Sequence, residues 1–446
     1  MKTKPDLSTS KLWYLSFGFL GVQIAFGLQS ANLSRIFSTL GADPTKLGYF
    51  WMLPPLMGMI VQPLVGLFSD KTWNRFGRRI PYLFVGTAVA VLVMAFLPNS
   101  GNLGLSIAAA MIFGAIMFML LDTSINMAMQ PFKMMVGDMV NEKQKTRAYS
   151  IQSFLCNAGG FIAYLLPFFL TAVGVANTAA DGVVPDSVKW SFYGGAAVMA
   201  ICVVVTVMKI KEYTPQQMSE FRENVAQTDT QSKGFDKSKA VKIFMQVALV
   251  QFFCWVAFQC MYVYSHNAIS EVAFGVDTLV ENFKDIQKVE YQAAGNWNGI
   301  LLAVMSAASI LWAMALPKFK NIKVAYALSL VVGAIGFLIM PYFTNKWALF
   351  IPYFMAGFAW AAMLALPFTI VTNAFEGSKR MGTVLGLFNC SICIPQIVLG
   401  AVGGSMLKHW FENHNASMIV FAGGVLLVGA LAVFFISEKR KAVKNA

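Results

Sequence analysis

The feature that most constrains this chain is a series of twelve apolar segments, each long enough to cross a lipid bilayer. A helix rises about 1.5 Å per residue, so about 20 residues span a hydrocarbon core of roughly 30 Å. Backbone polar groups in lipid must be paired internally, which leaves helices and closed barrels as spanning structures. Segments of this length predict an all-α polytopic membrane protein. The segments lie near residues 12–33, 47–69, 80–98, 104–139, 147–173, 189–208, 241–265, 294–316, 324–343, 347–374, 382–404 and 416–436.

The distribution of charge supports a membrane protein and excludes a nucleic-acid partner. Only 12% of the residues are charged, against roughly 25% in a typical soluble domain. The net charge is +13, but the Lys and Arg residues occupy alternate loops, and 27 of the 34 fall on one side. This asymmetry is typical of the positive-inside rule. It predicts a multi-pass protein of the cell (inner) membrane with both termini in the cytoplasm.

A carboxylate lies inside the fourth segment, in the stretch from Asp122 to Lys133. A charge at the bilayer centre costs at least about 2.5 kcal/mol, so it is retained where it has a function or a partner. With about 100° of turn per residue, Lys133 returns to within roughly 20° of Asp122, and Asn126 lies between them on the same face. Of the 21 acidic residues, only Asp122 lies well inside a segment. Because a carboxylate removed from water binds a proton more readily, Asp122 is the candidate proton carrier; a purely structural Asp122–Lys133 pair is the alternative.

Amides and aromatic rings at membrane depth are candidates for binding a solute that has both hydroxyl groups and apolar faces. Rings stack on the C–H faces of sugars, and amides bind hydroxyl groups. The alternative interpretations are interhelical hydrogen bonds for the amides and an interfacial belt for the rings. The predicted substrate-binding residues are Gln23, Gln29, Asn126, Trp255, Gln259, Tyr262 and Asn389.

The loop after the second segment combines an acid at a helix end, a turn glycine and a cluster of arginines. Guanidinium groups bind carboxylates and helix-end carbonyls in several orientations, which predicts an ion network. Anchoring by positive charge alone would also account for the arginines. The predicted gate on the cytoplasmic side consists of Asp70, Arg75, Gly77, Arg78, Arg79, Asp138 and Arg147.

Cysteines, histidines and catalytic motifs narrow the functional classes. All six cysteines lie within predicted segments, so no disulfide framework is implied, and Cys390-Ser-Ile-Cys393 is interpreted as small interfacial residues rather than a redox or metal pair. No Walker sequence, zinc spacing or Ser/His/Asp arrangement occurs at membrane depth, so no enzyme, cofactor or ATP-driven pump is predicted.

The loop from His266 to Tyr291 is predicted to be the longest on the outer side. The three histidines, His266, His409 and His414, fall in predicted outer loops, which argues against a histidine proton relay.

Several of these strings resemble the major facilitator superfamily, and within it the proton symporters of sucrose and related glycosides. Gly66-x-x-x-Asp70 followed by Gly77-Arg-Arg is similar to the signature of the superfamily. The glycoside symporters show strings similar to Gly-Val-Gln-x-x-x-x-Leu-Gln at 21–29 and Leu-Leu-Asp-x-x-x-Asn at 120–126. A third similar string begins Gly-Thr-Val-Leu-Gly at 382 and continues to Ile-Pro-Gln at 394–396.

The resemblance implies two six-helix halves around a midplane sugar site, with alternating access coupled to a proton. The proton-linked carboxylate of these symporters falls on Asp122, and their basic partner falls on Lys133, where they usually show arginine. Their acidic cluster at the end of the seventh segment is missing here, and Tyr262 and Tyr264 stand in that region.

The polar connection between the sixth and seventh segments divides the chain in two. Residues 209–240 are of mixed charge and rich in Gln, Ser and Thr, which is typical of a linker between halves that rock. A disordered connection would look the same. The predicted organisation is therefore a half at 1–208, a cytoplasmic linker at 209–240 and a half at 241–446.

Together these features predict a monomeric secondary transporter that carries a disaccharide of the sucrose or maltose type with a proton. Two alternatives from other classes stay open. One is a major facilitator carrier for another small solute, either sodium-coupled or exporting. The other is a membrane receptor that binds without transport.

Overall fold

The computed structural model describes residues 4–226, 237–278, 285–375 and 381–437, and its regular elements are helices. Twelve of these helices are long and apolar enough to cross a membrane, which confirms the predicted all-α polytopic fold. The α-helices are α1 Thr9–Thr39, α2 Leu47–Trp51, α3 Leu53–Lys71, α4 Ile80–Phe96, α5 Ile107–Met139, α6 Glu142–Ala172, α7 Asp186–Lys209, α8 Pro215–Ala226, α9 Lys237–Phe274, α10 Asp285–Ala315, α11 Ile322–Ile339, α12 Phe350–Ala374, α13 Met381–Trp410 and α14 Asn415–Ala432.

Local sequence sets the starts of several helices. Ser8 and Ser106 precede α1 and α5, and their hydroxyls accept hydrogen bonds from backbone N–H groups in the first turn. The side chain of Asn141 accepts from the backbone N–H of Gln144 at the start of α6. Each bond pairs one of the N–H groups that a helix leaves free at its beginning.

The helices form two halves. In the first half, α1 packs on α6 and α7, while α5 packs on α3 and α4. In the second, α9 packs on α14, and α12 packs on α10 and α11. The halves meet along two seams, one between α6 and α10 and the other where α13 crosses α2 and α3.

Close backbone approach is needed at both seams, and glycine permits it. A Cβ atom at Gly48 would lie 2.6 Å from the carbonyl oxygen of Gly400, across the seam between α2 and α13. Gly299 of α10 faces the carbonyl of Tyr164 in α6 in the same way. Both contacts bring the backbone of one half directly against the backbone of the other.

The outer end of the seventh segment differs from the sequence-based prediction. Helix α9 continues to Phe274, and α10 already begins at Asp285, so the predicted long loop from His266 to Tyr291 is largely helical. His266 therefore lies in a helix, not a loop, and is 2% exposed. The polar run around it is typical of a loop, but its side chains have buried hydrogen-bond partners on α10. Ser265 donates to Asn298, and Asn267 accepts from Tyr291.

The linker between the halves contains an unpredicted helix. After α7 ends at Lys209, residues Pro215–Ala226 form α8, and α9 starts at Lys237. The middle of the predicted linker, residues 227–236, lies outside the described residues. The division at 208 and 240 stays a prediction.

Candidate functional site

Asp122 lies near the middle of α5 and is 1% exposed. One carboxylate oxygen, Oδ1, accepts a hydrogen bond from Nε2 of Gln29 on α1, at 3.0 Å. The other, Oδ2, accepts from Nδ2 of Asn126, one turn further along α5, at 2.7 Å. Both oxygens are thus satisfied by amide donors, which is the arrangement a buried carboxylate needs. Three of the sequence-predicted residues therefore meet in one cluster.

Gln62 extends this cluster and was not predicted from the sequence. Its Nε2 donates to Oδ1 of Asn126 at 2.6 Å, so Gln62 holds the amide that in turn holds Asp122. The feature of the sequence that could have indicated Gln62 is its position as an amide at membrane depth in the second apolar segment, next to Pro63. A polar side chain there needs an internal partner, but nothing in its own segment indicates that α5 supplies it.

The structure does not bring Lys133 into contact with Asp122, its predicted partner. No ion pair between the two is present, and the side chain of Lys133 is exposed. It lies within electrostatic range of Cys156 on α6 and Cys393 on α13. Because these cysteines belong to opposite halves, Lys133 lies near the boundary between the halves. Along α5 it lies towards the end of the helix at Met139.

An aromatic group lies where the two halves meet, and it is formed by side chains of α2, α9 and α12. The rings of Trp51 and Tyr262 stack with centroids 6.0 Å apart, and Trp360 meets Tyr262 edge to face at 5.8 Å. Trp360 also contacts Trp255, at 5.7 Å. The indole nitrogen of Trp255 is buried without a hydrogen-bond partner among the described residues. An unpaired buried donor costs free energy, so a hydrogen bond to this N–H would be stabilising.

The remaining predicted substrate-binding residues occupy different surroundings. Gln259 spans the halves, since its Nε2 donates to the carbonyl oxygen of Trp51 at 3.0 Å. Asn389 is half-buried and contacts the sulfur of Cys393 on its own helix, at 3.7 Å. Gln23 packs within the first half beside Gly159 of α6. Of these three, the structure brings only Gln259 to the aromatic group.

A buried arginine closes the end of the bundle where α1 finishes, which we call the Arg35 end. Arg35 is 1% exposed, and its guanidinium donates to Gln292 Oε1 at 2.6 Å and Asn296 Oδ1 at 2.9 Å on α10. It also donates to Asn177 Oδ1 at 2.8 Å, in the connection between α6 and α7. A single side chain therefore joins both halves. It was missed because its acceptors lie far away in the sequence.

The opposite end, which we call the basic end, carries the predicted arginine cluster. Arg79 contacts Asp70 at 2.5 Å and Asp138 at 3.2 Å, and Arg78 contacts Asp138 at 2.6 Å. Sequence reasoning missed Glu212, which follows α7. Its carboxylate accepts from the backbone N–H groups of Arg78, Arg79 and Ile80, at 2.8 to 3.2 Å. This carboxylate thereby caps the positive start of α4.

Other predicted gate residues take separate roles. Gly77 adopts φ +113°, and a Cβ atom there would meet the Glu212 side chain at 2.6 to 3.1 Å. Arg75 is exposed with its guanidinium 4.6 Å from the ring of Phe76. Arg147 is exposed on α6. Neither arginine joins an ion pair with the residues that the structure describes.

The fold and the site define a class: a twelve-helix solute carrier with two halves around a polar centre. Residues 24–409 match the family described as MFS/sugar transport protein, and the chain belongs to this family. It is 23% identical to the sucrose transport protein SUT1 of Oryza sativa subsp. japonica over 98% of this chain and 90% of that protein. It is 22% identical to the sucrose transport protein SUC4 of Arabidopsis thaliana over 92% and 88%.

Solved structures confirm the fold. The xylose transporter XylE from E. coli in a partially occluded inward-open conformation aligns with a TM-score of 0.69 at 15% identity, over 97% of this chain and 99% of that chain. A D-xylose-proton symporter aligns with a TM-score of 0.68 at 15% identity, over 97% of both chains. The chain is thus a multi-pass membrane transporter of the major facilitator type.

Proposed function

We propose that this protein is a secondary active transporter that carries a disaccharide or related glycoside together with a proton. The observation that supports this most directly is the buried carboxylate of Asp122, held by amides from α1 and α5 at mid-membrane. A group in this position changes the charge of the site when it binds a proton. The names of the full-length relatives, sucrose transport proteins, indicate the sugar class.

The surroundings of Asp122 favour a proton over a sodium ion. Sodium sites in transporters are built from oxygen ligands such as backbone carbonyls. Here both carboxylate oxygens face amide N–H groups. In this orientation the amides of Gln29 and Asn126 present N–H donors, which stabilise a carboxylate, rather than the oxygen atoms that ligate a sodium ion.

We further propose that the basic end is cytoplasmic, in the cell membrane, and that the halves rock about the linker. The support is the 27 of 34 Lys and Arg residues that lie on that side. In this orientation Arg35 bridges the halves at the outer end, and Lys133 is exposed towards the inner end. Proton loading from outside and sugar binding would favour each other, as linkage requires. The protein is proposed to act as a monomer.

Transport by purified protein in proteoliposomes tests the proposal. Counterflow with a panel of α-glucosides identifies the sugar, and an inward proton gradient should then drive its accumulation, which a protonophore abolishes. A sodium gradient alone should drive none. Binding of a sugar without counterflow or uptake would favour the receptor alternative, and sodium-driven uptake would overturn the coupling assignment alone.

A further inference from the structure

The hydrogen bonds around Asp122 are those of a negatively charged carboxylate. Each oxygen accepts one amide N–H, from Gln29 and from Asn126. A protonated carboxyl group has an O–H that must itself donate to an acceptor. In low dielectric an O–H without an acceptor is costly. The cluster as it stands therefore fits one of the two charge states that proton transport requires.

One unused acceptor lies at the end of the Gln29 side chain. Gln29 is 3% exposed, and its Oε1 is buried without a hydrogen-bond partner in the part of the chain that the structure describes. The carbonyl oxygen of Asn126, by contrast, already accepts from Gln62. Because Oε1 and Nε2 of a glutamine are attached to the same carbon, half a turn of the amide exchanges their positions. That turn would bring Oε1 against Oδ1 of Asp122.

We propose that Gln29 positions the transported proton by reversing its amide: Nε2 donates to the ionised Asp122, and Oε1 accepts from the protonated Asp122. This inference rests on the proposed proton coupling. When a proton adds to Oδ1, the new O–H replaces the lost N–H as the bond to Gln29, so neither charge state leaves a polar group of Asp122 unpaired. Gln29 therefore affects the transported proton only through its hydrogen bond with Asp122.

No charged side chain of a described residue makes an ion pair or a hydrogen bond with Asp122, so none competes with Gln29 for this contact. No ion pair joins Asp122 to a described residue; on α3, the group that reaches the cluster is the neutral amide of Gln62. The thiol of Cys393 on α13 lies within electrostatic range of Asp122. Lys133, on the same helix as Asp122, is exposed about 16 Å along the axis. The described side chains that hydrogen-bond to Asp122 are thus the amides of Gln29 and Asn126, and of these two only Gln29 has an acceptor without a partner among the described residues.

Infrared difference spectra of the full-length protein between neutral and acidic pH test the proposal. A carboxylic C=O band should appear on acidification and be absent from Asp122→Asn, which assigns it. In Gln29→Met the O–H of Asp122 loses its acceptor, so the band should move to higher wavenumber. Gln29→Leu removes the same two polar atoms and should give the same shift.

Ser30→Ala is the matched control, because Ser30 neighbours Gln29 on α1 and its hydroxyl donates to the carbonyl of Phe26 at 2.8 Å. Its band should stay in place. A band that is present but unmoved in both Gln29 variants would overturn the role of Gln29 alone. If no band is lost in Asp122→Asn, the proton does not bind at Asp122, and the proposed coupling fails together with this inference.

Discussion

At the scale of single residues, the charge of Asp122 is the quantity on which coupling depends. Asp122→Asn keeps the size of the side chain and fixes it in a neutral form. Counterflow between equal sugar pools should persist, because a carrier fixed in its loaded form can still reorient with sugar. Gradient-driven uptake and sugar-induced alkalinisation of the medium should fall to background. Proton-driven accumulation in this variant, measured in proteoliposomes, would contradict the assignment.

Trp255 carries a second prediction at this scale. Trp255→Phe keeps an aromatic ring beside Trp360 but removes the unpaired indole N–H. If that N–H binds the sugar, the apparent KM of counterflow should rise about 2- to 10-fold, because this factor corresponds to the net free energy of one hydrogen bond. Trp190→Phe is the control, since Trp190 is exposed on α7. An unchanged KM in Trp255→Phe would remove this residue from the binding site.

At the scale of elements, Arg35 joins α1 to α10 and closes the Arg35 end. Replacing it by Met removes three hydrogen bonds, so the open population at this end should increase. Spin labels at Ala179 and Val289, on opposite halves, should then show an added longer distance in pulsed electron resonance. Lys346→Met is a matched control, because Lys346 lies over Trp297 within the second half. Identical distance distributions in Arg35→Met and the unmodified protein would mean that the closure does not depend on Arg35.

The turn before α4 allows a test of packing at the basic end. In Gly77→Ala the new Cβ atom would contact the side chain of Glu212, and the alanine would have to adopt a positive φ. The free energy of unfolding should therefore fall by about 1–3 kcal/mol, and the melting temperature in detergent should fall with it. Gly104 also has a positive φ, +64°, but nothing lies within 4 Å of its Cβ position. Gly104→Ala should therefore cost less. Equal losses in the two variants would show that the contact with Glu212 adds nothing.

At the scale of the whole molecule, the halves should hold together without the linker. Their seams involve backbone packing at Gly48 and Gly299 and the hydrogen bonds of Arg35. A protease site inserted between residues 227 and 236 should therefore allow the purified protein to be cut while the two parts still elute together. Counterflow should also survive the cut. Separation of the parts in mild detergent would show that the linker is needed for assembly.

The sequence by itself determined the twelve helices, the deep carboxylate and the basic loop. These follow from properties of one segment at a time, since apolar length, charge at membrane depth and a turn glycine are each visible locally. It also placed Gln29 and Asn126 among the binding candidates.

Only the tertiary structure decided which side chains meet. It brought Gln29 and Asn126 to Asp122, left Lys133 unpaired with it, and buried His266 in α9. Arg35 and Glu212 acquired their roles in the same way. The physical reason is that helical periodicity describes the faces of one helix, whereas hydrogen bonds between helices depend on how segments tens to hundreds of residues apart pack against each other.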